Sequence, residues 1–203
     1  MSTTAAESQR ATTPLRLAVI VGSVRKGRMG SVVAAWVAEQ ARQFGSFQVD
    51  LVDLADLPLP AALSAEPDEA TAGVLAELSP RLAAADAFLV VTPEYNHSFP
   101  ASLKSLIDWH KEEWHVKPVA FASYGGISGG LRAVEQLRQV FPEVHAMTVR
   151  DALCFPNVWE RFDEDGQPRD AETAATAAKR MFAQLEWWAE ALREARRRQP
   201  YPA

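Results

Sequence analysis

The segment LRLAVIVGSVRKGRMGS, residues 15–31, begins with the apolar run Leu17 to Val21 and ends in a loop of glycine, hydroxyl and arginine. An unbroken apolar run of this length is the pattern of a strand buried on both faces, as in a parallel sheet. From Ser31 onward Val33, Val37, Ala41 and Phe44 recur at helical spacing, which places the loop at a helix N-terminus. Unpaired N–H groups and the positive end of the helix dipole meet there and favour a phosphate monoester. Gly22, Gly27 and Gly30 let main chain approach closely, Ser23 and Ser31 offer hydroxyls, and Arg25 and Arg28 offer bidentate charge. The bland alternative is a polar turn whose arginines are simply solvated.

Two familiar phosphate loops do not fit. Gly22 to Met29 has the Gly-x4-Gly frame of a P-loop but continues with Arg28-Met29, so the lysine and the magnesium-binding hydroxyl are missing. The dinucleotide fingerprint fails at Gly22-Ser23-Val24, where its second glycine should stand.

Outward from this stretch, strand and helix patterns alternate. Strand Leu15 to Gly22 and helix Ser31 to Phe44 are followed by a strand at Phe47 to Asp53. A proline-rich loop leads to a helix over about Asp68 to Ala84, with Asp68 as N-cap. A third strand, Ala87 to Thr92, precedes a helix opened by Pro100 whose Leu103, Leu106 and Ile107 share a face. A fourth, Val116 to Ser123, runs through the glycine-rich Tyr124 to Gly130 into a helix carrying Val134, Leu137 and Val140. A fifth is expected near His145 to Leu153, and the last helix spans roughly Ala171 to Arg197. Five strands alternating with helices predict an α/β fold, a doubly wound five-stranded parallel sheet with helices on both faces. Residues 14–198 are expected to form a single domain, with 1–13 a disordered N-terminal tail and 199–203 a C-terminal tail.

The charge balance, 21 basic against 26 acidic residues and a net charge of −5, leaves no basic stripe and argues against nucleic acid as a partner. No apolar run has the length of a membrane span, and Met1 to Thr13 has no hydrophobic signal core, so a cytoplasmic protein without membrane contact is expected. Arg193, Arg196, Arg197 and Arg198 read as favourable charge at a helix C-terminus. Cys154, the single cysteine, reads as buried packing.

Ligands of doubly wound sheets bind beyond the carboxyl ends of the strands, and the unusual residues fall there three times. Besides residues 22–31 there is Pro93-Glu94-Tyr95-Asn96-His97-Ser98, offering a planar ligand one aromatic ring and polar edges, or else a turn with Asn96 left-handed. The third, Ser123 to Gly130, has four glycines after Tyr124 and suits main chain lying flat on a ring. His97 lacks a partner and reads as a surface loop residue. Neither metal-ligand spacing nor a side-chain nucleophile is visible.

Taken together, Gly22-Ser23-x-Arg25, Pro93-Glu94-Tyr95-Asn96-x-Ser98 with Pro100-Ala101-x-Leu103-Lys104, and Tyr124-Gly125-Gly126-x-Ser128-Gly129-Gly130 resemble the NADPH-dependent FMN reductase family, which includes flavodoxin-like quinone, azo and chromate reductases. The resemblance implies a flavodoxin-like strand order 2-1-3-4-5. It implies FMN with its phosphate at Ser23, Arg25, Gly30 and Ser31, Arg28 contributing, and its ring between Pro93, Glu94, Tyr95 and Asn96 on one side and Ser123, Tyr124, Gly125 and Gly126 on another. No catalytic side chain is implied, because the flavin carries the chemistry. The activity implied takes a hydride from NADPH or NADH onto bound FMN and passes electrons to a small-molecule acceptor: free flavin, quinone, azo compound or metal oxyanion. A homodimer or dimer of dimers is implied too, paired through the helix after the third strand, where Phe99, Trp109 and Trp114 are either interface anchors or core. Relatives often continue the first loop with a Ser-Phe-Asn type sequence, whereas this chain has Arg28-Met29-Gly30-Ser31. Rival readings are a non-enzymatic FMN electron carrier or flavin sensor, and a nicotinamide dehydrogenase with Asp53 on a ribose.

Overall fold

The structure, a computed structural model, describes residues 13–202; the expected N-terminal tail lies outside them except for Thr13. Its sheet is parallel, in the order β2-β1-β3-β4-β5, with β6 also paired to β4. The elements are β1 (Leu15–Val21), α1 (Gly30–Phe44), β2 (Phe47–Asp53), α2 (Glu69–Ala84), β3 (Ala87–Pro93), α3 (Ala101–Trp109), a 3-10 turn (Glu112–Trp114), β4 (Pro118–Tyr124), α4 (Leu131–Glu143), β5 (Met147–Thr148), β6 (Leu153–Phe155), α5 (Val158–Arg161) and α6 (Ala171–Arg198).

Alternation along each strand divides the apolar run between two cores. Leu17, Val19 and Val21 face α1 and α6, with Val33, Val37, Met181 and Leu185 packed beside them. Ala18 and Ile20 face α2, α3 and α4, against Leu78, Leu82, Leu106 and Leu137. Both faces of β1 are therefore dry, which is why its sequence shows no polar alternation. Gly45 closes α1 in the left-handed conformation, at φ 95°. Asp68 caps α2 as expected, its side chain accepting a hydrogen bond from the Thr71 N–H at 2.8 Å.

The fifth strand departs from expectation. In place of one strand near His145 to Leu153 there are two short ones, both alongside β4. The cause is α4: the Arg138 guanidinium donates to the Val149 carbonyl (2.7 Å) and the Arg150 carbonyl (2.9 Å), taking acceptors that a continuous ladder would need. Arg180 pairs with Asp151 on the same excursion.

Trp114 belongs to the core, its ring 4.5 Å from Phe88 and 5.5 Å from Phe141, so of the two roles open to it the structure assigns packing. Trp109 is half-buried and donates its indole N–H to the Pro60 carbonyl. Cys154 is half-buried rather than fully enclosed, with its thiol toward the Ser128 and Gly129 carbonyls and its pKa raised by burial. Arg193 and Arg196 do more than complement a helix end, since both reach Asp86 on the loop before β3.

Candidate functional site: three loops at the carboxyl edge of the sheet

The first loop leaves β1 at Gly22, whose N–H donates to the Val91 carbonyl and whose carbonyl accepts the Ser102 hydroxyl at 2.6 Å. Its end is the start of α1. Met29 caps that helix without a side-chain hydrogen bond, so the first-turn N–H groups are left for a ligand. Ser23 is fully buried, and its hydroxyl shares a 2.6 Å hydrogen bond with Tyr95 of the second loop. Arg25 is exposed and makes no ion pair among the described residues. Arg28 turns aside, its guanidinium 2.5 Å from the Asp53 carboxylate at the end of β2. Ser31 stands exposed on the first turn of α1.

The second loop is a tight turn. Tyr95 and Ser98 exchange both backbone hydrogen bonds, at 2.8 and 3.0 Å, while Asn96 and His97 take positive φ of 50° and 73°. The left-handed Asn96 weighed from sequence is present, and its side chain is exposed. Glu94 does not face outward to a ligand. Its carboxylate accepts the Ser128 hydroxyl (2.7 Å), the Arg132 N–H (3.2 Å) and the Arg132 guanidinium (2.8 Å), clamping the second loop to the third. Burial works to raise its pKa, but these bonds outweigh it and hold the carboxyl below the usual range. Sequence reasoning missed this clamp; the available signal was Ser128 and Arg132 flanking the last two glycines.

The third loop is tied down. Gly125 and Gly126 exchange backbone hydrogen bonds with Phe155, Asn157 and Val158. Gly130 has φ 89°, and a Cβ there would meet the Tyr124 backbone nitrogen at 2.9 Å, so only glycine lets the chain fold back on β4. Ser123 and Tyr124 are buried. Trp159, absent from the sequence-based site, is 62% exposed and its ring comes within 3.9 Å of a Cβ built on Gly126.

Two polar atoms at the first loop are buried without any hydrogen-bond partner: Arg28 Nε and the Tyr124 hydroxyl. Burial pushes the tyrosine pKa well up, so the group stays a neutral donor. A Cβ on Gly30 would stand 2.6 Å from that hydroxyl, so the absent side chain is what admits it. Donors in excess of acceptors beside a helix N-terminus fit the phosphate of a flavin mononucleotide. Of the residues expected from sequence, Ser23, Arg28, Gly30, Tyr95 and Tyr124 converge on this cradle, Arg25 and Ser31 border it, and Pro93, Asn96, Gly125 and Gly126 line the edge beyond. Asp53, a possible ribose ligand in one sequence reading, has both oxygens engaged, by Arg28 and by the Ala55 N–H.

A doubly wound parallel sheet in the order 2-1-3-4-5, with three polar, glycine-bearing loops gathered at its carboxyl edge, defines a flavodoxin-like fold. The family model for NADPH-dependent FMN reductases matches residues 15–160, and the chain belongs to that family. It is thus an oxidoreductase that uses FMN with a reduced nicotinamide. It is 35% identical over 150 residues to an NAD(P)H-dependent FMN reductase of Schizosaccharomyces pombe, covering 70% of this chain and 74% of that one. A quinone reductase of Escherichia coli is 33% identical over 141 residues, or 66% and 73% of the two chains. Among solved structures, FerB, a flavoenzyme NAD(P)H:(acceptor) oxidoreductase from Paracoccus denitrificans, superposes with a TM-score of 0.63 at 26% identity, covering 87% of this chain and 98% of that one.

Proposed function

We propose that the three loops hold FMN with its phosphate on the α1 N-terminus and its ring along Pro93–Asn96 and Ser123–Gly126, and that a reduced nicotinamide and a small-molecule acceptor take turns at the exposed ring face. The observation that carries this is the surplus of donors at the first loop: first-turn amides without a side-chain cap, an exposed Arg25 with no ion pair among the described residues, and the orphaned Arg28 Nε and Tyr124 hydroxyl. When bound, FMN supplies the two-electron chemistry. The chain's part is placement. Ser23, Arg25, Gly30 and Ser31 receive the phosphate, Arg28 adds charge, and the Glu94 clamp sets the spacing between the loops that flank the ring.

The acceptor belongs to the class of quinones, free flavins, azo compounds and metal oxyanions. Trp159 beside Gly126 supports a planar one, because an exposed indole over bare main chain offers a stacking wall. NADPH or NADH is the reductant, and the protein works in the cytoplasm as a homodimer or dimer of dimers paired through α3. Sedimentation at micromolar concentration checks the pairing, and a monomer there removes it. Among the described residues, no helix is long and apolar enough to cross a membrane.

The deciding test is anaerobic addition of NADPH to the FMN-reconstituted protein, followed by visible absorbance. Rapid bleaching of the flavin band is expected. A complex that stays oxidised with both NADPH and NADH defeats the reductase reading in favour of an electron carrier, and failure to retain FMN defeats the three-loop site.

A further inference from the structure

Arg28 and Asp53 form an ion pair that has no counterpart in the first loop's backbone logic. Asp53 ends β2, in register with Val21 at the end of β1, so its carboxylate stands beside the first loop by virtue of sheet pairing alone. One oxygen accepts the Ala55 N–H at 3.0 Å, which fixes the carboxylate on a rigid turn. The other accepts Arg28 at 2.5 Å. The two side chains are only 20% and 19% exposed, unlike the solvated pairs elsewhere on the surface. Gly27, at φ 68°, reverses the chain just before Arg28. The guanidinium is therefore held from one side while its Nε, buried and without an acceptor, remains to be satisfied. Its charge also acts on the Tyr124 hydroxyl, the other orphaned donor, so the two lie at one place.

We infer that Asp53 is a positioning residue that holds Arg28 so that its Nε side faces the cofactor's phosphate, making the pair the part of the site that separates FMN from phosphate-free flavin. The inference rests on the proposed placement of the phosphate at residues 22–31. Arg28 keeps its contact with Asp53 when the ligand binds, and the carboxylate, guanidinium and phosphate form a chain of charge-assisted hydrogen bonds. A solvated arginine would have to be ordered at each binding event, whereas this one is ordered beforehand by a carboxylate that sheet register and the Ala55 N–H already fix.

The test compares dissociation constants for FMN and riboflavin, measured by fluorescence quenching on the full chain. The wild type is expected to prefer FMN. Asp53→Asn is expected to reduce that preference about tenfold while leaving riboflavin affinity unchanged, and the Arg28→Ala, Asp53→Asn double variant to be no worse than Arg28→Ala alone. Arg28→Lys, which keeps the charge but loses the fork, reduces the preference as well and serves if Asp53→Asn fails to fold. A wild type that binds both flavins equally overturns the phosphate placement itself. A wild-type preference retained in full by the folded variants overturns only the role of the pair. Tighter FMN binding by Asp53→Asn also overturns it, since Asp53 would then compete with the phosphate for Arg28.

Discussion

The two ends of the parallel sheet are built from similar residues to opposite purposes. At the amino end, Asp86 accepts the Arg16 N–H and pairs with Arg193 and Arg196, while Lys117 donates to the Leu82 and Ala83 carbonyls at 2.8 Å each. Every one of these charged groups has a protein partner. At the carboxyl end Arg25 makes no ion pair among the described residues, Arg28 keeps an orphaned Nε, and the Tyr124 hydroxyl is buried without a bond. Unsatisfied donors each cost about 1–3 kcal/mol; Trp114 Nε1 and His115 Nε2 before β4 are orphaned too, so what sets the carboxyl-end pair apart is its grouping with the uncapped α1 N-terminus and the exposed Arg25. The contrast separates charge that supports the fold from charge that, on the proposed function, is left for a ligand.

The largest break of this contrast is Asp86→Ala. It leaves two arginines and a backbone N–H without their shared acceptor, at a carboxylate only 15% exposed. A loss of about 3 to 4 kcal/mol in unfolding free energy is expected in denaturant titration, with the FMN dissociation constant of the folded fraction unchanged. A change in FMN affinity comparable to the loss of stability would mean that the two ends are not independent.

Lys117 gives the amino end a pH signature. It is 5% exposed, and burial lowers its pKa from 10.5 to about 8, with Arg196 adding to the effect. Between those values the unfolded chain binds a proton that the folded chain has released, so stability rises with pH across that window, by up to about 3 kcal/mol. Below pH 8 both states are protonated and the burial cost of the ammonium is borne in full. Denaturant midpoints at pH 8 and pH 10 measure the rise, and Lys117→Met should flatten it while leaving FMN binding alone.

Gly30→Ala probes the other end. The added methyl would meet the Tyr124 hydroxyl at 2.6 Å and displace the ring from the cradle. That ring is buried in the core, so thermal stability is expected to fall as well, and the FMN affinity of the folded protein to fall about tenfold, or about 1.4 kcal/mol. An unchanged affinity would take Tyr124 out of the phosphate site.

The same contrast explains what the sequence made legible. Strands β1 and β3, dry on both faces, announce themselves as unbroken apolar runs, and the glycines of the first and third loops mark where main chain must lie close. The strand after α4 was misread as continuous because its break depends on Arg138, a charged residue on a helix whose reach to the Val149 and Arg150 carbonyls has no signature in the strand's own residues. The three loops stand at one edge because the parallel strands β1, β3 and β4 end there, whereas the Glu94 carboxylate finds its partners 34 and 38 positions away, beyond any local pattern. Asp53 likewise gains its place beside Arg28 from strand register, which no local pattern records.

The smallest effect tests whether the legible parts of the fold stay out of the site. Asp68 caps α2 with an exposed side chain, and its bond with Thr71 lowers its pKa. A carboxylate with a depressed folded pKa contributes stability that is whole above the ordinary carboxylate range, near 4, and is lost as the pH falls through the folded value. Asp68→Ala should lower the melting temperature by about 2 °C at neutral pH, and the difference from wild type should vanish in acid. Helix α2 packs on the second core, away from all three loops, so FMN affinity and the rate of flavin bleaching by NADPH should match the wild type. If they fall with the melting temperature, the site borrows its order from general stability, and the separation between the two ends of the sheet is lost. If they hold, the cradle's order is its own, set by β1, β2 and the clamp between the second and third loops.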